Sequence, residues 1–314
     1  MKYLKRGLLI SFLAFSVLLI VGSVFMLDFS LKSNVKPTDE ADAYAYLFKH
    51  EYLRQWVDSL RSAHALRDTF IVASDGTKLH AMYIQSPSPH FDKSALVIHG
   101  YTNNSIRMLM IGYLYNKGMG YNVLLPDLRA HGKSEGKYIQ MGWKDRLDIL
   151  RWIDVVKSRF GDSTKVVIHG ISMGAATTMM TSGAKLQGNV KCFVEDCGYT
   201  SVWDEFAYKL KKEYHLPAFP LLYTTSFYAN LKLGWNFKEA SPLDQIKKCK
   251  LPMFFIHGGD DTYVPTSMVY KLYEAKKGIK RIWVIPGVTH AQAYWDHTAE
   301  YTTKVKSFVS QYIN

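Results

Sequence analysis

Only three cysteines, Cys192, Cys197 and Cys249, occur in 314 residues, too few for a disulfide-rich framework. None stands in a close Cys/His pattern, so nothing in the sequence asks for a metal site. A Cys192–Cys197 bridge in an oxidising compartment stays open, because sequence does not fix cysteine connectivity. Nucleic-acid motifs are missing as well. The densest lysine runs, Lys209-Leu210-Lys211-Lys212 and Lys247-Lys248-Cys249-Lys250, read as solvated faces. Charged residues make up 21% of the chain against 48% hydrophobic, which argues against disorder and predicts a substantial packed core. The length admits one large domain or two modest ones.

Among what is present, a long uncharged run stands out. Lys2, Lys5 and Arg6 precede 21 residues without charge, Gly7 to Leu27. As a helix this run rises about 30 Å, the thickness of a bilayer's hydrocarbon core. It closes on Phe25-Met26-Leu27 before Asp28, with no small-x-small site at that end, which favours an uncleaved anchor over a removed signal peptide. The basic residues belong on the cytoplasmic side, with the bulk of the protein outside the cell membrane. The expected organisation is a cytoplasmic tip and single-pass signal anchor over residues 1–27, a stalk over 28–43 that includes Pro37, and a domain over 44–314. The formal charge is +12, or +9 once the three basic residues before the run are set aside. That excess suits loose association with acidic envelope polymers or anionic headgroups.

Residues 43–67 carry apolar positions at helical spacing. Thr69–Ala73 and Lys78–Gln85 read as a hairpin through an Asp75-Gly76 turn. From Ser94 onwards strands alternate with helices. Strands are predicted at Ser94–His99, Tyr121–Pro126, Lys165–His169, Val190–Glu195, Pro252–Ile256 and Lys280–Ile285. Helices are predicted over Ser105–Lys117, Gly142–Phe160, Ser267–Lys277 and Ala291–Tyr312. In Gly142–Phe160, Trp143, Leu147, Leu150, Ile153 and Val156 share a face. This rhythm predicts a mainly parallel sheet with helices on both faces. Residues 200–248, rich in Tyr, Phe, Leu and Lys and interrupted by Pro217 and Pro220, break it. They read as a helical cap inserted over the carboxyl ends of the strands.

The chemistry concentrates in a few loops. Gly170-Ile171-Ser172-Met173-Gly174 matches G-x-S-x-G between an apolar strand and a small-residue helix, the setting of a nucleophile elbow. A serine nucleophile needs a base, and the base needs an orienting acid. His290 follows the last predicted strand and is the candidate base. His297 is expected within the final helix, while His169 and His257 end strands and read as structural. For the acid, Asp261 is favoured, with Asp260 second and Asp196 third. The main-chain N–H of Met173, directly after the nucleophile, and that of Tyr101 are the candidate oxyanion donors.

Taken in order, His99-Gly100-Tyr101, Asp127-Leu128-Arg129-Ala130-His131-Gly132-Lys133-Ser134, Gly170–Gly174, Gly258–Pro265 and Gly287–His290 resemble the α/β-hydrolase superfamily over roughly residues 69–314. The similarity is greatest to its esterase-like or serine-aminopeptidase-like branches with a short helical insertion. That resemblance implies the α/β-hydrolase fold, Asp261 as acid and His290 as base. It also implies that Asp127–Ser134 is a structural loop in which Arg129 and His131 are architectural. The expected function is acyl transfer to water on a small-molecule carboxylic ester, without metal or organic cofactor. An amide or peptide hydrolase is the alternative, and a non-catalytic binding protein on the same fold is the third reading.

Overall fold

The computed structural model describes residues 2–34, 39–86 and 92–314. In chain order it contains helices α1 (Lys2–Leu31), α2 (Asp39–Leu47) and α3 (Glu51–Ser62), then strands β1 (Leu66–Val72), β2 (Lys78–Ile84) and β3 (Lys93–Ile98). There follow α4 (Leu109–Met119), β4 (Asn122–Pro126), α5 (Asp145–Phe160), β5 (Lys165–Ile171), α6 (Met173–Ser182) and β6 (Val190–Asp196). Next come α7 (Val202–Tyr214), α8 (Leu221–Leu233), α9 (Pro242–Ile246), β7 (Met253–Gly258) and α10 (Ser267–Ala275). The chain ends with β8 (Lys280–Ile285), α11 (Ala293–Asp296) and α12 (Thr298–Val309).

These elements fall into two compact units: residues up to Lys32 with Ser201–Ala240, and Ser33–Thr200 with Ser241–Asn314. The larger unit holds all eight strands in one sheet of order β1-β2-β4-β3-β5-β6-β7-β8. β1 pairs antiparallel with β2 and β2 with β4, and the remaining neighbours are parallel. Every residue of β4 and β7 is buried, as expected of parallel strands covered on both faces. Because side chains alternate along a strand, Val167, Cys192, Val194, Phe254 and Ile256 join one cluster with Leu53, Trp56, Leu114 and Phe308. These last four come from α3, α4 and α12. The larger unit is therefore an α/β-hydrolase fold, a mainly parallel sheet flanked by helices.

Several elements differ in detail from the sequence reading. α1 continues past the charge at Asp28 to Leu31, and α2 begins at Asp39, so helix occupies both ends of the segment read as a stalk; Pro37 lies outside the described residues. In α5 the buried side is Asp145, Asp148, Ile149, Trp152, Ile153, Val156 and Phe160, whereas Leu147 is 49% exposed. Trp143, Ile153 and Val156 of the expected face are buried, Leu150 is half-buried, and Leu147 gives way to the aspartates that line the first turn. The C-terminal helix divides, with His297 standing between α11 and α12. In the segment read as a cap, α7 and α8 belong to the smaller unit, while α9 packs with the larger one. Ser241 caps α9 by accepting from the Asp244 N–H, and the Leu243 N–H donates to the Thr200 carbonyl.

Candidate active site

β5 delivers the chain into Ser172 and α6 carries it away. Between them Ser172 adopts φ 57° and ψ −119°, a backbone state that non-glycine residues hold only when their surroundings enforce it. The Ser172 N–H donates to the Asp196 carbonyl at 2.8 Å, and the Ser172 carbonyl accepts from Ala176 at 3.0 Å. Glycine is required on either side. A Cβ at Gly170 would run into the Gly174 carbonyl, and one at Gly174 into the carbonyls of Ile98 and His99. The G-x-S-x-G spacing thus permits the sharp strand-to-helix turn that presents the hydroxyl.

His290 Nε2 lies 2.8 Å from Ser172 Oγ, and its Nδ1 lies 2.7 Å from Asp261 Oδ2. The other carboxylate oxygen of Asp261 accepts from the N–H groups of Tyr263 at 2.8 Å and Val264 at 2.9 Å. Burial would raise the pKa of Asp261, but its hydrogen bonds and charge interactions with His257 and His290 outweigh that and hold it well below the ordinary carboxylate range. An ionised Asp261 fixes the imidazole so that Nε2 faces the serine. Asp260, the adjacent candidate, is exposed, and its N–H donates to the Val288 carbonyl. The third candidate, Asp196, accepts from the Tyr301 hydroxyl at 3.0 Å.

His169, His257 and His297 have other partners. His169 is buried between the hydroxyls of Tyr115 and Tyr301. His257 lies 3.3 Å from Asp261 and donates through Nε2 to the Val264 carbonyl at 3.0 Å. His297 stands 4.0 Å from Glu300.

The loop after β3 sits beside Ser172. A Cβ at Gly100 would lie 3.3 Å from the Ser172 Cβ, so Tyr101 follows directly from the point of closest approach. Met173 opens α6 on the other side of Ser172. His131 steadies this loop: its Nε2 accepts from the Thr102 N–H at 3.2 Å, and its Nδ1 donates to the Arg129 carbonyl at 2.9 Å. Burial pushes the His131 pKa down to about 3, so it serves as a neutral brace. Arg129 is itself clamped. Its Nε and Nη2 donate to the two oxygens of Asp148 at 2.6 and 3.0 Å, and its Nη1 reaches Asp75 at 2.5 Å.

A cavity of about 320 Å³ opens onto Ser172 and His290. Its walls include residues that sequence reasoning missed. Tyr46 comes from α2, Arg107 from the turn before α4, and Trp295 from α11. The Arg107 guanidinium lies 3.8 Å from the Tyr46 ring centre, and Trp295 meets the same ring edge-on at 6.0 Å. No local motif signals this arrangement, because three distant segments build it.

Cys197 was also unanticipated near the site. Its sulfur, one Asp261 oxygen and one His290 nitrogen lie within 4.8 Å of one another, a spacing that metal sites share. Burial, with the neighbouring carboxylates, keeps the Cys197 thiol protonated well above its ordinary range. Both imidazole nitrogens already face Asp261 and Ser172. The donor set therefore fits a proton relay better than a cation. All three cysteines are free and buried, so the Cys192–Cys197 bridge left open by the sequence is not formed. Just below the site, burial raises the pKa of Glu195 to about 8 and that of Asp196 to about 6.

The model of the prolyl oligopeptidase family matches residues 110–314. YqkD of Bacillus subtilis (strain 168) is 34% identical over 223 residues, covering 71% of this chain and 73% of that protein. Among solved structures, the esterase Pf2001 of Pyrococcus furiosus superposes with a TM-score of 0.64 at 27% identity, covering 79% of this chain and 93% of the other. The acylaminoacyl peptidase of Pyrococcus horikoshii has a TM-score of 0.59 at 17% identity, covering 79% of this chain and 41% of its own, a likeness of fold alone.

Proposed function

The chain belongs to the prolyl oligopeptidase family and is a serine hydrolase of α/β-hydrolase fold, and from that premise we propose that it cleaves carboxylic esters through an acyl-enzyme on Ser172. The observation that carries this reading is the unbroken hydrogen-bonded path from Asp261 through His290 to Ser172. In the first step His290 Nε2 takes the Ser172 proton as Oγ attacks the ester carbonyl. Asp261 stabilises the imidazolium that results. The N–H groups of Met173 and Tyr101 receive the oxyanion. His290 then protonates the leaving alcohol. A water molecule, activated by the same nitrogen, releases the acid and restores the serine.

The cavity lining mixes Met108, Met110 and Trp295 with Asn103, Arg107 and Gln292, which suits a small ester with one apolar and one polar part. The esterase Pf2001 supports the same substrate class. Amide or peptide cleavage is the second reading, favoured by the family's name. Comparison of p-nitrophenyl esters of graded chain length with aminoacyl-nitroanilides separates the two. Turnover of esters at least tenfold faster, abolished in Ser172→Ala, is expected; faster anilide hydrolysis overturns the ester reading.

Residues Tyr3–Leu31 form a helix long and apolar enough to cross a membrane. We take α1 as a single-pass anchor with Lys2, Lys5 and Arg6 on the cytoplasmic side and the catalytic unit outside the cell.

A further inference from the structure

The smaller unit pairs α1 with α8 through three successive contacts. Leu221 Cδ1 lies 3.3 Å from where a Cβ on Gly22 would stand, Ser23 Oγ lies 2.7 Å from Thr224 Oγ1, and Asp28 lies 3.8 Å from Lys232. The pairs advance together along both helices, so α1 and α8 run parallel. Gly22 and Ser23 are small enough to let the second helix approach, as at interfaces between helices within a bilayer.

On another side of α8, large apolar side chains stay exposed, although the Tyr223 ring meets Trp203 edge-on at 4.7 Å. Tyr223, Phe227 and Leu231 recur every four residues along one stripe of α8, and Phe219, in the turn before the helix, has its ring 5.8 Å from that of Tyr223. They are 47, 65, 68 and 71% exposed respectively. The helix buries a different set, Leu222, Thr225, Ser226, Ala229 and Leu233, so the stripe is not the unit's own core. Exposed Tyr214 and Leu216 extend the apolar surface, and exposed Lys211 and Lys212 precede them.

We propose that α8 is a lipid-inserted helix, seated in the outer leaflet of the same bilayer that α1 crosses, with Phe219, Tyr223, Phe227 and Leu231 against acyl chains. The proposal rests on the reading of α1 as a membrane span. Its ground is continuity: the helix that bears the exposed stripe is packed directly on the C-terminal part of the span. The uncharged run of α1 ends at Leu27, five residues beyond Gly22. At 1.5 Å per residue, Gly22 and the Leu221 beside it lie about 8 Å beneath that boundary. Phe219 and Tyr223 then enter lipid, whereas the Asp28–Lys232 pair sits at the water interface. Exposed Lys211, near the end of α7, suits a surface of anionic headgroups.

The full chain in phosphatidylglycerol–phosphatidylethanolamine liposomes provides the test. Bimane is attached at Phe219→Cys, Phe227→Cys or Leu231→Cys, with Phe12→Cys reporting on the span and Asp162→Cys on the aqueous phase. Each label is challenged with doxyl-labelled lipid and with iodide, and the signal of unsubstituted protein is subtracted. Lipid quenching several-fold above that at Asp162, decreasing from position 219 through 227 to 231, is expected. Lipid quenching at position 12 together with iodide quenching at all three α8 positions overturns the proposal and leaves the anchor standing. Iodide quenching at position 12 overturns the anchor, and the proposal with it. Three separate α8 positions keep the test decisive if one variant misfolds.

Discussion

Asp261 and His290 stand 29 residues apart in the chain, yet Asp261 Oδ2 meets His290 Nδ1 at 2.7 Å. The same carboxylate receives two main-chain N–H groups from its own loop, so its position is fixed independently of the histidine. Replacing it by asparagine keeps the shape but favours the wrong imidazole tautomer. Asp261→Asn is expected to lower kcat for a p-nitrophenyl ester by about 10⁴. Asp260→Asn, at the exposed neighbour, is expected to stay within a few-fold of the parent. Steady-state kinetics of the two variants check the assignment, and equal losses contradict it.

The buried clamp on Arg129 yields a stability prediction. Arg129→Ala leaves Asp148 buried without its bidentate partner and should destabilise the fold by about 3–5 kcal/mol. Urea unfolding of the two proteins at neutral pH measures the difference. A loss below about 1 kcal/mol would mean that the pair acts as a surface ion pair does.

Stability should also depend on pH through Glu195. Burial raises its pKa from the ordinary 4.5 to about 8, so the fold holds the neutral carboxyl. Its contribution is fully present below about pH 4.5 and is lost as pH rises through about 8. Glu195→Gln, neutral at every pH, is expected to flatten the fall in Tm between about pH 4.5 and 8 in a calorimetric series. A slope unchanged by the substitution would place the pH sensitivity elsewhere.

Arg107 offers a handle on substrate choice. Its guanidinium lies against Tyr46 in the wall of the cavity, partly removed from water. Desolvation strengthens its pull on an anion. Arg107→Gln is expected to raise KM for esters carrying a carboxylate or phosphate by about tenfold, equivalent to about 1.4 kcal/mol. KM for neutral esters should hardly change. A uniform rise for both classes would make Arg107 a packing residue.

Much of the site was legible because glycine marks its turns. The strand, Gly170–Gly174 and α6 follow one another as the motif requires, and Asp261 and His290 close their strands on short loops. Other features were hidden by long-range partnership. The buried side of α5 begins with Asp145 and Asp148, whose partner Arg129 lies outside the helix, so a search for apolar period found Ile153 and Val156 but put Leu147 on the wrong side. Tyr46, Arg107 and Trp295 meet only after three distant segments fold together. The break at His297 carries neither Gly nor Pro to announce it.

The central claim is that Ser172 is the activated nucleophile. Labelling with a fluorophosphonate probe, followed by mass analysis of the digested protein, tests it most directly. The expected result is a single phosphonyl adduct on the peptide containing Ser172, absent from Ser172→Ala and strongly slowed in His290→Ala. An adduct of equal yield in Ser172→Ala, or one on another residue, would contradict the assignment.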